Sequence, residues 1–336
     1  MLHHLTLDDG SLRFGEPPPT TPEPILAIEP GPLTDVVDIQ TSTGTFYAAG
    51  LATHNCYARP THEYLGFSAG LDFESRILVK EEAPALLERE LARPKWVPVP
   101  IVMSGVTDPY QPIERKLEIT RKCIEILART LHPVAIITKS RLVERDADLL
   151  ARLAEVGAAC VTLSITTLDR RLQRALEPRA SPPEHRLEAI RALSAAGIPV
   201  AVNVAPIIPG LTDHEIPEIL GAAAEAGAVG AGYTVLRLPG AVRPIFLKWM
   251  EEHIPDRAGK VRSRLLSLRG GVLYNSEFGK RMRGEGPFAE QIRTMFDVAR
   301  RRAGLDRPSV ELSTAHFRRP EALRIQGQTD EQLSLL

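Results

Sequence analysis

The chain of 336 residues has only three cysteines, Cys56, Cys123 and Cys160. So few thiols cannot form a disulfide framework, which indicates a reducing, cytoplasmic environment. No run of about 20 apolar residues is present to cross a membrane. The first residues also lack the basic segment and apolar run of a signal peptide. We therefore expect a cytoplasmic protein without a membrane partner.

Net charge is also nearly absent, since 41 Lys and Arg residues face 42 Asp and Glu residues. The balance is uneven along the chain, because residues 1–55 carry a net charge of −6 and the remainder carries +5. This asymmetry indicates two units of different origin, the larger one mildly basic.

Residues 1–34 contain seven prolines, a density that excludes a long helix and favours loops with short strands. From about residue 73, apolar β-rich runs alternate with amphipathic helical stretches. The predicted strands are 99–104, 134–138, 159–165, 200–205 and 232–236, and the predicted helices are 113–130, 145–156, 184–197 and 213–227. This alternation predicts an α/β fold with a parallel sheet, whose chemistry gathers at the carboxyl ends of the strands.

A first motif ends at the sequence His54-Asn55-Cys56. Taken alone, these three residues would indicate an ordinary polar turn. Their spacing from Asp38, Phe46 and Gly50, however, resembles the C-terminal end of an intein. In that chemistry the Asn55 side-chain amide attacks its own carbonyl group, His54 donates a hydrogen to that carbonyl, and the Cys56 thiol accepts an acyl group. The resemblance assigns Asp38 to the neighbourhood of Cys56. The N-terminal half of the intein family is absent, so we do not expect this chain to splice alone.

A second motif begins at Cys56 with the sequence Cys-Tyr-Ala-Arg-Pro-Thr-His-Glu-Tyr-Leu. It resembles the residues that follow the last cysteine of the radical SAM motif Cys-x3-Cys-x2-Cys, whose first two cysteines are absent here. Cys123 lies on a predicted amphipathic helix and Cys160 opens a predicted buried strand, so both are expected in the core. Cys56 is therefore the one candidate metal ligand, for a [4Fe–4S] cluster.

Several polar strand ends occur in the order found in the spore photoproduct lyase-like branch of radical SAM proteins, and the resemblance spans residues 56–240. It implies that Ser104, Lys139 and Ser164 hold the methionine end of S-adenosylmethionine (SAM), since hydroxyls and an ammonium suit a carboxylate. It also implies that the turn from Pro206 to Gly210 lines the adenosine.

The resemblance leaves the substrate open. Where the lyase carries a hydrogen-donating cysteine, this chain has Met103, whose thioether has no S–H group. Asp108, Tyr110 and Gln111 are candidates for substrate contact, although helix capping would explain them equally well. Glu177 and Arg186 form either a buried pair that braces a loop or a substrate contact.

The predicted architecture is a partial (β/α)6 radical SAM barrel at 56–240 that lacks its first strand. A β-rich intein remnant at 1–55 precedes it, and a helical extension at 241–305 and a flexible tail at 306–336 follow. The resemblance implies that the complete spliced enzyme cleaves SAM at a [4Fe–4S] cluster to a 5′-deoxyadenosyl radical, in DNA lesion repair. It would need the missing N-terminal intein and extein half as a partner. The alternative is an inactive precursor fragment whose only chemistry is cleavage at Asn55–Cys56.

Two features suggest nucleic-acid partners. Residues 280–307 hold eight Lys and Arg against four Asp and Glu, which fits either a solvated helix face or DNA. The last five residues, from Gln332 to Leu336, resemble the short peptide with which bacterial proteins dock on the DNA sliding clamp, with Leu336 in place of the usual aromatic residue. An accidental apolar terminus is the alternative.

Overall fold

The computed structural model describes residues 5–8, 11–14, 77–104, 107–277, 280–307 and 310–320. Near the start of the chain, two short strands, β1 (Leu5–Asp8) and β2 (Ser11–Phe14), pair in antiparallel fashion. Further along, a parallel sheet is built from the strands β3 (Ile101–Met103), β4 (Val134–Thr138), β5 (Ala159–Ile165), β6 (Val200–Ile207) and β7 (Gly230–Val235). The spatial order of these strands is their order in the sequence.

Helices precede, connect and follow the strands of this sheet. They are α1 (Ala83–Ala92), α2 (Glu114–Leu117), α3 (Ile119–Thr130), α4 (Ala147–Ala154), α5 (Arg170–Leu176), α6 (Pro183–Ala195), α7 (Ile216–Glu225), α8 (Val242–His253), α9 (Pro255–Ser267), α10 (Lys280–Arg283) and α11 (Pro287–Arg302). Repeated strand–helix units with parallel strands in sequential order confirm the predicted α/β class. None of the helices in the described part of the chain is long and apolar enough to cross a membrane.

The strands β4 and β5 agree residue for residue with the prediction, because both are predominantly apolar and rich in β-branched residues. The strand β6 extends two residues beyond its predicted end at 205 and includes Pro206. Proline lacks the N–H that a strand donates, which is why the sequence predicts an end there. The structure accommodates it through a register shift between Val204 and Ile207 against β7.

Side chains alternate between the two faces of the sheet, as the pleat requires. One face is apolar and buried beneath the helices, and in β5 it contains Ala159, Val161 and Leu163, all fully buried. The residues between them, Cys160, Thr162 and Ser164, face the other way. Of these, Ser164 lies near the carboxyl end of the strand.

The C-terminal helices do not form a separate unit. Helices α8 and α9 pack in a second apolar cluster with Leu176, Ile208 and Leu236, near the carboxyl ends of the strands. Helix α11 joins the main core instead, where Phe296 lies 4.6 Å from the ring of Tyr233 on β7. The predicted extension at 241–305 is therefore helical, but its last helix belongs to the same core as the sheet.

Residues 310–320 differ from the flexible tail predicted for 306–336, since they are anchored to the body. The Arg318 amide donates to the Thr130 carbonyl at 2.7 Å, and the Arg319 guanidinium donates to the Trp96 carbonyl at 3.0 Å. Phe317 meets the buried ring of His132 edge-on. The polar sequence predicted a flexible segment here. The ring contact of Phe317 and the hydrogen bonds to backbone carbonyl groups instead hold residues 310–320 against the body. The clamp-like residues from Gln332 to Leu336 lie outside the described residues.

Candidate functional site

A cavity of about 550 Å³ opens at the carboxyl ends of β3 to β7. Its walls include five residues from the interior face of the sheet: Ile137, Lys139, Ser164, Asn203 and Thr234. Parallel register places Ser164 beside Asn203 in adjacent strands. The cavity is therefore a direct product of the strand alternation, which turns every second strand-end residue inward.

Three of the residues expected around SAM share this cavity. Ser104 follows β3, Lys139 follows β4 and Ser164 lies near the end of β5, and all three line the wall. Ser164 is 5% exposed, so its hydroxyl belongs to the inner part of the site. The structure thus brings together groups that were predicted from separate strand ends.

Lys139 lies at the edge of a buried ionic network. Its ammonium group pairs with Glu177, and the other oxygen of Glu177 pairs with Arg186 Nη2 at 2.7 Å. The side chains of Glu177 and Arg186 are each 1% exposed, whereas that of Lys139 is 22% exposed. Lys139 is therefore the member of the network that can reach a ligand in the cavity.

Charge compensation keeps Glu177 ionised. Burial by itself would raise the pKa of Glu177, but the positive charges of Lys139 and Arg186 outweigh it and hold the pKa at about 2. The Thr166 hydroxyl lies 2.7 Å from Glu177 Oε1 and 2.9 Å from the Ala205 carbonyl oxygen. The network therefore links the ends of β4, β5 and β6.

Arg186 extends the same network to the cavity wall. Its guanidinium donates to the Ser164 carbonyl at 2.8 Å and to the Ser181 carbonyl at 2.7 Å. Of the two interpretations left open for Glu177 and Arg186, the geometry matches a buried pair that braces the loop after α5. The pair fixes the backbone of Ser164, and thereby the orientation of this part of the cavity wall.

Asp108 ties the loop after β3 to the end of β4. Its carboxylate accepts from Thr138 Oγ1 at 2.6 Å, from the Lys139 amide at 2.7 Å and from the Tyr110 amide at 2.9 Å. Burial raises the pKa of Asp108, although these hydrogen bonds oppose the rise. Asp108 lines the cavity, but its oxygens are already engaged, so its direct contact with a substrate stays a prediction.

Tyr110 also lines the cavity, yet it is 2% exposed. Its hydroxyl has no hydrogen-bond partner among the described residues. Burial, followed by the negative charge of Asp146, raises the pKa of Tyr110 well above its ordinary value, so the phenol stays protonated. Substrate contact by Tyr110 therefore stays a prediction, and this state of the protein exposes little of the side chain for it.

The two residues predicted beside the adenosine are separated. Pro206 lines the cavity, whereas Gly210 is not part of its wall. Gly210 has a φ of +82°, and a Cβ atom there would meet Lys260 at 3.4 Å and Arg264 at 3.5 Å, both on α9. Gly210 thus allows the turn that packs against α9. Of the two residues, only Pro206 could contact a ligand in the cavity.

Cys123 is a core residue, as predicted, whereas Cys160 is only partly buried. Cys123 is 8% exposed, and burial raises the pKa of its thiol to about 12 and that of the Cys160 thiol to about 11. Thiolates are the cluster ligands, so neither thiol is suited to bind iron. Among the described residues, no group of three or more His, Cys, Asp and Glu side chains could hold a metal ion. The intein-like residues Asp38, His54, Asn55 and Cys56 lie outside them.

Basic side chains outnumber acidic ones in the described part of the cavity wall, which the sequence did not suggest. That part includes one carboxylate, from Asp108, and five basic side chains: Arg115, Lys139, Arg141, Arg179 and Arg237. Two of the five are paired with glutamates, Lys139 with Glu177 and Arg141 with Glu144 and Glu188. Two polar wall residues could have been found from the sequence. Asn203 interrupts an apolar strand, and Arg237 follows the end of β7 closely. Both positions match the strand-end rule that identified Lys139 and Ser164.

Comparison with known proteins now assigns the family. The family model described as the radical SAM superfamily matches residues 56–223, half of the chain. The chain belongs to the radical SAM superfamily. This is a superfamily of enzymes, and membership implies a [4Fe–4S] cluster and SAM as cofactors.

Curated relatives support the same assignment. An uncharacterised protein of Mycobacterium tuberculosis is 37% identical over 224 residues, which are 66% of this chain and 65% of that protein. An uncharacterised protein of Methanocaldococcus jannaschii is 32% identical over 48% of this chain and 57% of its own length. The chain thus spans slightly less than two thirds of the mycobacterial relative.

Among solved structures, a mutant of spore photoproduct lyase superposes with a TM-score of 0.50 at 18% sequence identity. The match covers 76% of this chain and 72% of the lyase. At this identity the likeness shows a shared fold.

The described residues fit the two cofactors differently. The cavity has a volume within the range of about 300–1,000 Å³ typical of small-molecule sites, and it presents hydroxyl groups and an ammonium to a carboxylate. These features suit SAM. The described residues of the cavity wall include no cysteine that could bind the cluster. The predicted ligand Cys56 lies outside the described residues.

Proposed function

We propose that this chain forms the SAM-binding body of a radical SAM enzyme whose remaining cluster ligands come from an upstream segment. The observation that carries this proposal is the cavity at the carboxyl ends of the strands, most of whose lining residues lie within the region that matches the family. We propose further that the fold of residues 56–240 is a partial (β/α)6 barrel that lacks its first strand. SAM, when bound at the cluster, supplies the 5′-deoxyadenosyl radical chemistry of the superfamily.

The protein's own residues bind and orient the ligand. Lys139 offers an ammonium to the carboxylate of SAM, while Ser104 and Ser164 offer hydroxyl groups. The Glu177–Arg186 pair holds Ser164 in place through the hydrogen bond from Arg186 to the Ser164 carbonyl group. Pro206 gives an apolar wall for the adenosine.

We propose a nucleic acid as the substrate, with lesion repair as the reaction class. The basic wall supports this, because it favours a polyanion. The fold shared with a lyase that is named for a spore photoproduct supports lesion repair as well. The lyase reaction itself is not proposed, since Met103 has no hydrogen to donate. Docking of Gln332 to Leu336 on a DNA sliding clamp would suit the same role.

The iron content of cysteine variants tests the proposal. We expect the present chain, reconstituted anaerobically, to hold no stable cluster, and the version joined to its upstream segment to hold about four irons. In that joined version Cys56→Ala should lose the cluster. Cys123→Ala and Cys160→Ala serve as matched controls and should retain it, because Cys123 is buried in the core and burial raises the pKa of both thiols. A full cluster in the joined Cys56→Ala variant would contradict the proposal.

We also propose that residues 1–55 are an intein remnant. The family match supports this, since it begins at Cys56, directly after the predicted junction. In the cleavage step the Asn55 side-chain nitrogen bonds to the Asn55 carbonyl carbon, and the peptide bond to Cys56 breaks. The resulting amine of Cys56 takes the proton that the side-chain amide releases, and Asn55 becomes a succinimide.

Intact-mass spectrometry tests this second candidate. We expect at most trace cleavage between Asn55 and Cys56 in this chain, because the N-terminal half of the intein family is absent. Addition of a matching N-terminal intein half should increase cleavage, and Asn55→Ala should abolish it. Cleavage that persists in Asn55→Ala would rule out the succinimide route.

A further inference from the structure

Three uncharged polar side chains on neighbouring strands line the cavity. They are Ser164 on β5, Asn203 on β6 and Thr234 on β7. Among the described residues, the side chains of these three form no hydrogen bond. Their polar atoms are also not sealed off from the cavity. Such atoms form their hydrogen bonds with whatever occupies the cavity, whether water or a ligand.

The carboxamide of Asn203 is the most versatile of these groups, since it holds two donors and an acceptor in one plane. Asn203 is the one polar residue of β6, although asparagine is unfavourable in strands. Gly232 lies opposite it in register on β7, and a Cβ atom there would lie 3.6 Å from Asn203 Oδ1. Glycine inside a strand often marks the close approach of a ligand. Here it leaves the space beside the carboxamide open.

The surroundings of Asn203 and Thr234 suit a flat, uncharged ring. Pro206 in β6 and Leu236, which follows β7, add apolar surface to the wall beside them. Arg237 is the ionisable residue of the described wall that follows β7, and the others come from the segments between β3 and β6. A nucleobase has apolar faces and an edge on which donors and acceptors alternate, so it matches this part of the cavity.

We infer that Asn203 and Thr234 bind the hydrogen-bonding edge of a nucleobase in this cavity. The inference rests on the proposed function and deepens it by naming the chemical group that these two residues recognise. A carboxamide pairs with an edge that presents a donor beside an acceptor, as asparagine does with adenine in DNA. The Thr234 hydroxyl can donate or accept beside it. Two sources carry this chemistry, the adenine of SAM and a base of a nucleic-acid strand.

Calorimetry on the protein joined to its upstream segment tests adenine as the source. In that case Asn203→Ala should bind SAM about tenfold more weakly than the wild type, as loss of a two-point hydrogen-bonded pair implies. A second probe is the SAM analogue with two methyl groups on the 6-amino nitrogen, which can no longer donate. The wild type should bind this analogue more weakly than SAM, whereas Asn203→Ala should bind the two about equally.

A second arm tests a base of the substrate, with SAM at saturation. The probes are a short single-stranded oligodeoxynucleotide that contains all four bases and an abasic strand of equal length, which keeps the phosphates. If a base is the source, Asn203→Ala should weaken binding of the first about tenfold and leave binding of the second unchanged. An effect in the SAM arm alone would assign the site to adenine, and an effect in this arm alone would assign it to the substrate.

Two further variants complete the test. Thr234→Val removes the hydroxyl at nearly constant shape and should weaken the same probe as Asn203→Ala does. The matched control is Asn275→Ala, because Asn275 accepts from the Glu277 amide at 2.8 Å and lies outside the cavity wall. It should bind every probe as the wild type does.

The folded state of each variant is checked by its melting temperature, which should stay close to that of the wild type because Asn203 and Thr234 donate to no other side chain. Wild-type affinity for all probes in both Asn203→Ala and Thr234→Val would overturn the inference and leave the proposed function intact. Absence of SAM binding by the wild type would contradict the proposed function, and the inference with it.

Discussion

Replacement of Glu177 by glutamine should lower the free energy of unfolding by about 3–5 kcal/mol, the usual effect of removing one partner from a buried ion pair. The reason is that Arg186 is 1% exposed and would keep its charge without a carboxylate. Urea unfolding followed by circular dichroism measures the loss. The matched control is Glu188→Gln, because Glu188 pairs with Arg141 at the surface with 45% of each side chain exposed. That control should change stability by less than about 1 kcal/mol.

The same variant has a defined pH signature. The folded pKa of Glu177 is about 2, below its ordinary value of 4.5, so its charge stabilises the folded state fully above that ordinary value. This contribution is lost as pH falls from 4.5 towards 2. The difference in stability between the wild type and Glu177→Gln should therefore shrink across that window. A difference that does not change with pH there, or a loss no larger than that of Glu188→Gln, would contradict the assignment.

The second large effect concerns Lys139. In the protein joined to its upstream segment, Lys139→Ala should weaken SAM binding by about 1.5–3 kcal/mol, the usual contribution of a hydrogen bond to a charged group. The ammonium of Lys139 is part of the cavity wall, and Arg186 remains to neutralise Glu177 when it is removed. Calorimetry with SAM provides the measurement.

Lys122→Ala is the matched control for Lys139→Ala. Lys122 is an exposed lysine on α3 and donates to the Leu117 carbonyl at 3.2 Å, outside the cavity wall. It should leave SAM affinity unchanged. Unchanged affinity in Lys139→Ala would remove that residue from the SAM site.

The sequence predicted the sheet well because strand signals are local. Predominantly apolar, β-branched segments define β4 and β5, and the rule that chemistry gathers at strand ends led to Lys139 and Ser164. That rule depends on neither side-chain conformation nor long-range packing. It could equally have found Asn203 and Arg237, whose polar character at or near strand ends is visible in the sequence.

Other features depend on distant contacts and leave no local signal. Gly210 and Pro206 are close in sequence, but the turn between them directs only Pro206 to the cavity. Phe317 holds a polar segment in place because its ring packs against the ring of His132. In each case the partner is distant in the sequence, so spacing and composition could not indicate it.

The central claim is that SAM binds in the cavity at the carboxyl ends of the parallel strands. Hydrogen–deuterium exchange of the joined protein, with and without SAM, tests it most directly. The account predicts slower exchange in peptides that cover the ends of β4, β5 and β6, around Lys139, Ser164 and Ala205. Protection confined to other regions, with these three strand ends unchanged at saturating SAM, would contradict it.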